Sequence, residues 1–447
     1  MAWVGLTLAC GGKARTNNPP DTTTDSETTE TTDTTTVETK ECAPGTWRPY
    51  LQEEVECKPH TVCTTSASIA GTATSDTFCF NGWIKQWPAD GFRPEDASIT
   101  GSSLLIAGSK GTEFGSAEVK TVVQEIDLKS GEMLGAVEHP STGTPGKFHM
   151  ALLHEDQLVT VVDRETESEE TEADLARWER WDAEPVWKKT VVNSIWENSL
   201  WHDYPWWPVS FQGDGELFVA MSDGASRRIE SYSTENEPVW SAAPAGFGRL
   251  AGMRTVLLDV DVTQMTARSK ENGEELWAAA IPQGEVEDPS TPWIDSLAER
   301  NGELYLLGRR AEGPEVNGHL FIAKLSAATG ELRWVHEWLP MPSFFWPAPA
   351  FGCRLVLGGD DTLYTSFATY EPLTEFGHAA PMDVFFRKLS AETGETLWTK
   401  QLGTTGVDMV VSLLLEDDAL FITGTTEGKL ASDAVEGDGV FVMRFDL

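Results

Sequence analysis

The residues best suited to ligand recognition in this chain are aromatic and lie in two stretches, SIWENSLWHDYPWWP at 194–208 and WLPMPSFFWPAP at 338–349. Flat apolar rings on a loop can stack on sugar rings or grip a protein chain. Burial in a core or across the centre of the fold is the alternative, because large aromatic side chains are usually buried. The expected ligand contacts are Trp196, Trp201, Trp206, Trp207, Phe345 and Trp346.

Patterns typical of catalysis are missing from the sequence, which contains no G-x-S-x-G, H-E-x-x-H or EF-hand loop. The eight histidines, His149, His154 and His202 among them, are scattered without metal-ligand spacing. Asp259 and Asp261 could serve a glycosidase or bind calcium, yet any two residues so spaced share one face of a strand. The sequence therefore predicts no catalytic residue, no metal ligand and no organic cofactor, and leaves calcium open.

Four of the six cysteines fall within a segment too short to build its own core. Their spacing lacks the paired C-x2-C of a zinc site, so the cluster favours two disulfides formed in an oxidising compartment. Four cysteines allow three connectivities, which the spacing leaves open. The residues are Cys42, Cys57, Cys63 and Cys79.

The segment CAPGTW…VECKPHTVC…GTATSDTFC resembles a tumour-necrosis-factor-receptor-like cysteine-rich module, of the kind found at the base of some bacterial surface lipoproteins. The resemblance covers about 40 residues. It implies bridges between Cys42 and Cys57 and between Cys63 and Cys79, which correspond to the first and last bridges of that family.

The N-terminus, MAWVGLTLACGGK, resembles a bacterial lipobox, which implies cleavage after Ala9 and lipid attachment to Cys10. An apolar N-terminus without a role is the alternative. The Thr-rich segment that follows has one aliphatic residue, Val37, and no aromatic one, so it cannot offset its ordering entropy by burial. We expect a signal and lipobox region at 1–15, a disordered tether at 16–41, and an exported protein that is anchored in the outer membrane or extracellular.

A Gly-Glu-x-x-Trp pattern repeats along the remaining chain at intervals of 37 to 64 residues. Its six copies close at Gly135, Trp187, Trp240, Trp277, Trp334 and Trp398. A second marker, a turn followed by an apolar strand, occurs seven times. It begins at Leu104, Leu158, Leu217, Val256, Leu304, Leu363 and Leu420. Seven strand sets with six closing turns leave one closure missing.

GWIKQW at 82–87 supplies the missing closure, because Trp83, Lys85 and Gln86 align with the WTKQ segment at 398–401. The first strand of the body is then expected to complete the last sheet. The strands that lead into each closing turn, such as VFFRKLS and VFVMRFD, carry consecutive apolar residues, which indicates burial on both faces. The fold class is therefore all-β, with a cysteine-rich module at 42–80 and a seven-bladed β-propeller at 81–447.

The last unit, from DVFFRKLS to DGVFVMRFD, resembles the bacterial β-propeller repeat family (SBBP) and is also similar to the repeats of quinoprotein-type propellers. In this pattern the closing Trp and Gly are interpreted as structural. Quinoprotein dehydrogenases typically place adjacent cysteines over their cofactor. The propeller region has one cysteine, Cys353, so it cannot supply that pair.

The formal charge of −38 repels phosphate backbones, so we expect no nucleic-acid partner. We also expect a monomer, and membrane contact only through the lipid anchor. Three functions remain. The first is a surface-anchored binding or scaffold lipoprotein whose propeller recognises a protein or glycan. The others are a polysaccharide-active enzyme with acidic residues in the central channel and a purely structural envelope component.

Overall fold

The computed structural model is described for the parts of the chain that carry its regular structure, and in these every regular element is a β-strand. No helix in this part of the chain could cross a membrane. The described residues are 46–47, 58–59, 67–69, 78–111, 120–139, 149–154, 157–164, 172–179, 184–192, 209–211, 217–222, 227–233, 237–244, 249–260, 264–282, 292–312, 317–341, 353–359, 361–369, 382–431 and 437–447.

Two short hairpins precede the body. The first pairs β1 (Thr46–Trp47) with β2 (Lys58–Pro59), and the second pairs β3 (Ala67–Ile69) with β4 (Phe78–Phe80). Ile69 and Phe80 are buried in one apolar cluster with core residues of the body. The second hairpin is therefore packed against the larger fold.

The body consists of seven four-stranded antiparallel sheets, the blades of a β-propeller, as the sequence predicted. Blades 1 to 3 are β6 (Phe92–Thr100), β7 (Ser103–Lys110), β8 (Lys120–Asp127), β9 (Met133–His139); β10 (His149–His154), β11 (Gln157–Arg164), β12 (Glu172–Glu179), β13 (Trp187–Val192); β14 (Val209–Phe211), β15 (Leu217–Ser222), β16 (Arg227–Tyr232), β17 (Pro238–Ala242). Blades 4 and 5 are β18 (Arg249–Gly252), β19 (Val256–Val260), β20 (Gln264–Ser269), β21 (Glu275–Ala280); β22 (Pro292–Arg300), β23 (Glu303–Glu312), β24 (Asn317–Ser326), β25 (Leu332–Met341). Blades 6 and 7 are β26 (Arg354–Leu357), β27 (Thr362–Thr369), β28 (Asp383–Ser390), β29 (Thr396–Leu402); β30 (Asp408–Glu416), β31 (Ala419–Thr426), β32 (Gly439–Asp446) and β5 (Gly82–Pro88).

The ring closes through β5, the first strand of the body, which is the outer strand of blade 7. Gln86 pairs with Phe441 of β32, in the same way that Gln401 pairs with Phe385 in blade 6. The two Trp-x-Lys-Gln segments therefore occupy equivalent strands, which confirms the predicted closure.

The turns between first and second strands follow the predicted hairpin chemistry. Asn301, Asp361 and Asp417 adopt φ values of 54°, 56° and 51°. This left-handed region is one that Asn and Asp tolerate better than most residues. The strands that follow these turns begin where the apolar markers predicted, and β8, β28 and β32 are buried along consecutive residues.

The closing tryptophans pack against the glycine turns of the next blade. Trp277 of blade 4 lies against Gly330 of blade 5, where an added Cβ would meet the indole ring at 2.6 Å. The Trp277 indole N–H also donates to the Ala327 carbonyl of that turn, at 2.8 Å. Trp240 contacts the Gly273 turn in the same way. The predicted structural roles of Trp and Gly are thus confirmed, and their contact joins consecutive blades.

Trp83 of blade 7 lies against Gly131 of blade 1, and Trp334 of blade 5 lies against Gly394 of blade 6, where an added Cβ would meet the indole rings at 2.7 and 3.0 Å. The other three blade junctions depart from this pattern. Blade 1 closes on Gly135 instead of Trp, and an added Cβ there would meet nothing within 4 Å. Between blades 2 and 3, Lys189 donates to the Tyr232 hydroxyl at 2.7 Å and its ammonium lies 4.0 Å from the ring centre. Between blades 6 and 7, Trp398 packs on Phe445 with ring centres 5.9 Å apart.

The alternating strand directions give the ring two ends. We call the end of the ring at which the first strand of each blade begins the entry end. The connections from a fourth strand to the next first strand, and from a second strand to a third, lie at this end. The glycine turns between third and fourth strands lie at the opposite, exit end. First strands of neighbouring blades contact one another, as do β6 and β10, so they form the inside of the ring.

Candidate functional site

The inner strands carry a repeated β-bulge in their first half, toward the entry end. The register shifts between Pro94 and Asp96 in β6, between Ile294 and Ser296 in β22, and between Val410 and Ser412 in β30. A bulge inserts one residue and changes the direction of the neighbouring side chains. In β6 and β22 this places polar side chains toward the first strand of the next blade.

In β6 the bulge presents two carboxylates to the backbone of β10. The Ala151 amide donates to Glu95 at 2.7 Å, and the Leu153 amide donates to Asp96 at 2.9 Å. Asp96 also accepts from the Ala97 amide at 2.9 Å. These bonds satisfy edge amides of a first strand that has no partner strand on that side. The two carboxylates therefore fasten blade 1 to blade 2.

The pKa of Asp96 is raised from 3.8 to about 6, chiefly because burial removes water from the charged form. The two backbone donors and the positive charge of Arg354 act in the opposite direction and moderate the increase in pKa. Asp96 is thus a carboxyl group on an inner strand that changes charge near neutral pH.

A second polar group joins blades 5 and 6. The Leu355 amide of β26 donates to the Ser296 hydroxyl at 3.1 Å, which repeats the arrangement of β6 and β10. Beside it, Arg309 forms a two-point ion pair with Asp295, at 2.8 and 3.1 Å. Both partners of this pair are largely buried, with 16% and 13% of their side chains exposed.

Cys353 precedes β26 as a buried free thiol. Burial raises its pKa well above the ordinary value, and the negative charge of Asp295 adds to the shift. The thiolate is the reactive form of cysteine, so Cys353 has the character of a packing residue.

Glu95, Asp96 and Ser296 thus bond to the first strand of the next blade, whereas the Asp295–Arg309 pair lies within blade 5. No group of three or more His, Cys, Asp or Glu side chains in the described residues is arranged to hold a metal ion. Toward the entry end the first strands thus carry acids that are bonded to neighbouring strands, among them Asp96, whose pKa is raised to about 6.

The expected ligand contacts Trp196, Trp201, Trp206, Trp207, Phe345 and Trp346 lie outside the described residues, as do Cys10, Cys42, Cys57 and Cys63. Cys79 lies in β4 and is disulfide-bonded. The strands on either side of the aromatic stretches are described. The stretch at 194–208 lies between β13 and β14, and 342–349 lies between β25 and β26. Both connect a fourth strand to the next first strand, so their flanking strands meet the entry end.

Other residues considered from the sequence have structural positions. His149 and His154 are the first and last residues of β10, and His202 lies outside the described residues. Asp259 is buried and forms an ion pair with Arg268 at 3.5 Å, while Asp261 lies outside the described residues. Asp259 is therefore held by an internal arginine.

Sequence reasoning missed Glu95, Asp96, Asp295 and Ser296. A signal exists, because the first strands of blades 1, 5 and 7 align as RPEDA, WIDSL and MVVSL. The polar residue that follows the bulge stands at the same place in each. Without a known bulge this pattern cannot be separated from ordinary strand alternation.

No protein-family model and no curated protein matches the chain. The quinohemoprotein alcohol dehydrogenase of Comamonas testosteroni aligns at 10% identity and a TM-score of 0.43, covering 81% of this chain and 76% of that one. The propeller domain of the trilobed protease of Pyrococcus furiosus aligns at 10% identity and a TM-score of 0.43, covering 80% of this chain and 96% of that one. A Mycobacterium tuberculosis puromycin-hydrolyzing peptidase aligns at 13% identity and a TM-score of 0.46, covering 80% of this chain and 52% of that one. These similarities concern the fold alone.

Proposed function

We propose that this protein is a surface-anchored binding or scaffold lipoprotein whose entry end recognises a protein or glycan. The observation that carries the proposal is topological. The stretch at 194–208, and the part of the second stretch at 342–349, each lie between the fourth strand of one blade and the first strand of the next. Their ends therefore meet the same end of the ring as the inner-strand acids.

The chemistry at this end suits recognition. Aromatic rings supply apolar contact area at a low entropic cost, and acids and arginines supply directional hydrogen bonds. Glu95 and Asp96 on β6 accept from backbone amides, and Asp295 on β22 is paired with Arg309. Such fixed groups give the ring a rigid shape, and a rigid surface loses little entropy on binding.

The N-terminal part of the proposal comprises lipid attachment at Cys10, a tether at 16–41 and a disulfide-bonded module at 42–80. The disulfide bond at Cys79 and the packing of Ile69 and Phe80 against the body support this arrangement. A disulfide-bonded module fits an oxidising compartment outside the cytosol. The module would then connect the propeller to the Thr-rich segment at 16–41.

A polysaccharide-active enzyme is the second candidate, favoured by the Asp96 carboxyl with a pKa of about 6 on an inner strand. The bonds from the Leu153 and Ala97 amides to its carboxyl oxygens weigh against this role. A carboxyl group occupied in this way has little freedom to transfer a proton to a substrate.

The test is a glycan and cell-surface-protein array probed with the full chain and two double variants. Trp206→Ala with Trp207→Ala truncates an aromatic stretch at the entry end. The double variant Leu276→Ala with Leu397→Ala is the matched control. Both leucines lie next to exit-end turns, and each is 54% exposed. We expect the first variant to lose binding and the second to retain it. Equal binding by both folded variants would overturn the proposal.

A further inference from the structure

Two buried acids lie between blades 6 and 7, at the entry end. Asp383 is the first residue of β28 and Asp408 is the first residue of β30, and they are 1% and 0% exposed. We call this pair the seam acids. The Asp408 amide donates to the Met382 carbonyl at 2.8 Å, so the backbones that carry the two acids are bonded to each other.

Neutral polar side chains hold the two carboxyl groups. Thr404 donates to the Asp408 carboxyl through its backbone amide and through its hydroxyl at 3.0 Å. Gln401 donates to the Asp383 carboxyl at 3.2 Å. Thr426 approaches Asp408 from β31, and the residue after it, Glu427, accepts from the Val407 amide at 3.2 Å.

The seam acids connect through two further contacts to the closing strand. The Thr404 hydroxyl, which bonds Asp408, also lies against Gly428, where an added Cβ would meet it at 2.1 Å. The Gln86 side chain of β5 donates to the Gly428 carbonyl at 2.7 Å and accepts from the Leu430 amide at 2.8 Å. The chain from Asp408 through Thr404 and Gly428 to Gln86 thus reaches the strand that closes the ring.

Burial raises the pKa of Asp408 from 3.8 to about 7, and the negative charge of Asp383 adds to the increase. Removal of water penalises the charged form of a carboxyl group, so Asp408 retains its proton into the neutral range. The protonated state therefore belongs to the closed ring, and hydration of the site on opening would release the proton.

We propose that Asp408 acts as a pH-dependent clasp, which holds β5 in the ring when protonated and weakens closure when ionised. The sign follows from linkage. The closed form binds one more proton than the open form between the two pKa values, so raising the pH favours opening, by at most about tenfold per pH unit. Above the pKa of the closed form the effect reaches a plateau.

The test is amide hydrogen exchange of the full chain between pH 5.5 and 8.5, expressed as protection relative to the unfolded chain at each pH. We expect protection of β5 (Gly82–Pro88) to fall by up to about tenfold per unit up to pH 7 and then to level off. Protection of β21 (Glu275–Ala280), on a distant blade, serves as the internal reference and should change much less.

Asp408→Asn keeps the shape of the neutral acid and cannot ionise, so it should abolish the pH dependence of β5 protection. Asp383→Asn is a second variant should the first fail to fold: it removes a negative charge that adds to the pKa of Asp408, so β5 protection should level off at a lower pH. Asp438→Asn, at an exposed position near the same seam, should behave as the unmodified chain. A slope that persists in folded Asp408→Asn, or a levelling-off that Asp383→Asn does not move, overturns the proposal. So does a slope in the unmodified chain that millimolar calcium removes and chelator restores, because a cation would then be neutralising the pair.

Discussion

Substituting Gly330 by Ala tests the contact between each closing Trp and the next glycine turn. Gly330 has a φ of +70°, and an added Cβ would meet the Trp277 ring at 2.6 Å. The backbone strain of Ala at this φ is about 1–2 kcal/mol. The indole must also shift, which costs about 1–3 kcal/mol in a packed core and puts at risk its bond to Ala327, worth about 1 kcal/mol.

Gly302→Ala is the matched control. Its φ is +75°, and an added Cβ would meet nothing within 4 Å, so it carries the strain without the clash. We expect Gly330→Ala to lower the free energy of unfolding by about 2–3 kcal/mol more than Gly302→Ala does. Urea unfolding followed by tryptophan fluorescence and circular dichroism measures both values.

The double variant Gly330→Ala with Trp277→Phe completes the test, because the smaller ring makes room for the added Cβ. The cost of Gly330→Ala should therefore shrink in the Phe background. Equal destabilisation by Gly330→Ala and Gly302→Ala, or an unchanged cost in that background, would refute the role assigned to the Trp–Gly contact.

Three further results are expected. Gln86→Ala removes the hydrogen bonds to Gly428 and Leu430. It should reduce the hydrogen-exchange protection of β5 by at least tenfold and leave the protection of β21 unchanged. An equal loss of protection in both strands would contradict this expectation. Arg309→Ala leaves Asp295 buried without the arginine and should lower the free energy of unfolding in urea by about 3–5 kcal/mol. Lys110→Ala, which breaks an exposed ion pair, should lower it by about 0–1 kcal/mol. Similar losses in both variants would contradict the role of the Asp295–Arg309 pair in stability. Cys353 should resist alkylation at pH 8 in the folded chain and react on unfolding, as peptide mass mapping would show; rapid labelling of the native chain would be inconsistent with its raised pKa.

The propeller and its closure were predictable from the sequence because they depend on repeated local patterns. The strand that contains Trp83 and Gln86 pairs as its similarity to the segment at 398–401 predicted. The Trp–Gly contact was predictable only in part. The residue types were interpreted as structural, yet the rule that each Trp contacts the glycine of the following blade needed coordinates.

The inner-strand acids and the seam acids were not predictable for a physical reason. Asp96 and Asp408 acquire their properties from burial and from partners that are distant in sequence. The Asp96 carboxyl accepts from Leu153, and Asp408 is linked through Thr404 and Gly428 to Gln86 at the other end of the body. In a chain with 71 acidic residues, nothing in the local sequence marks these two.

The central claim, recognition at the entry end, is tested most directly by hydrogen exchange of the full chain with and without its strongest array ligand. We expect new protection in peptides that cover 193–208 and 342–353 and the starts of the first strands, β6 and β26 above all. The exit-end turns, such as 127–132 and 390–395, should exchange as before. Protection confined to those turns would contradict the account, because it would place the ligand at the opposite end of the ring.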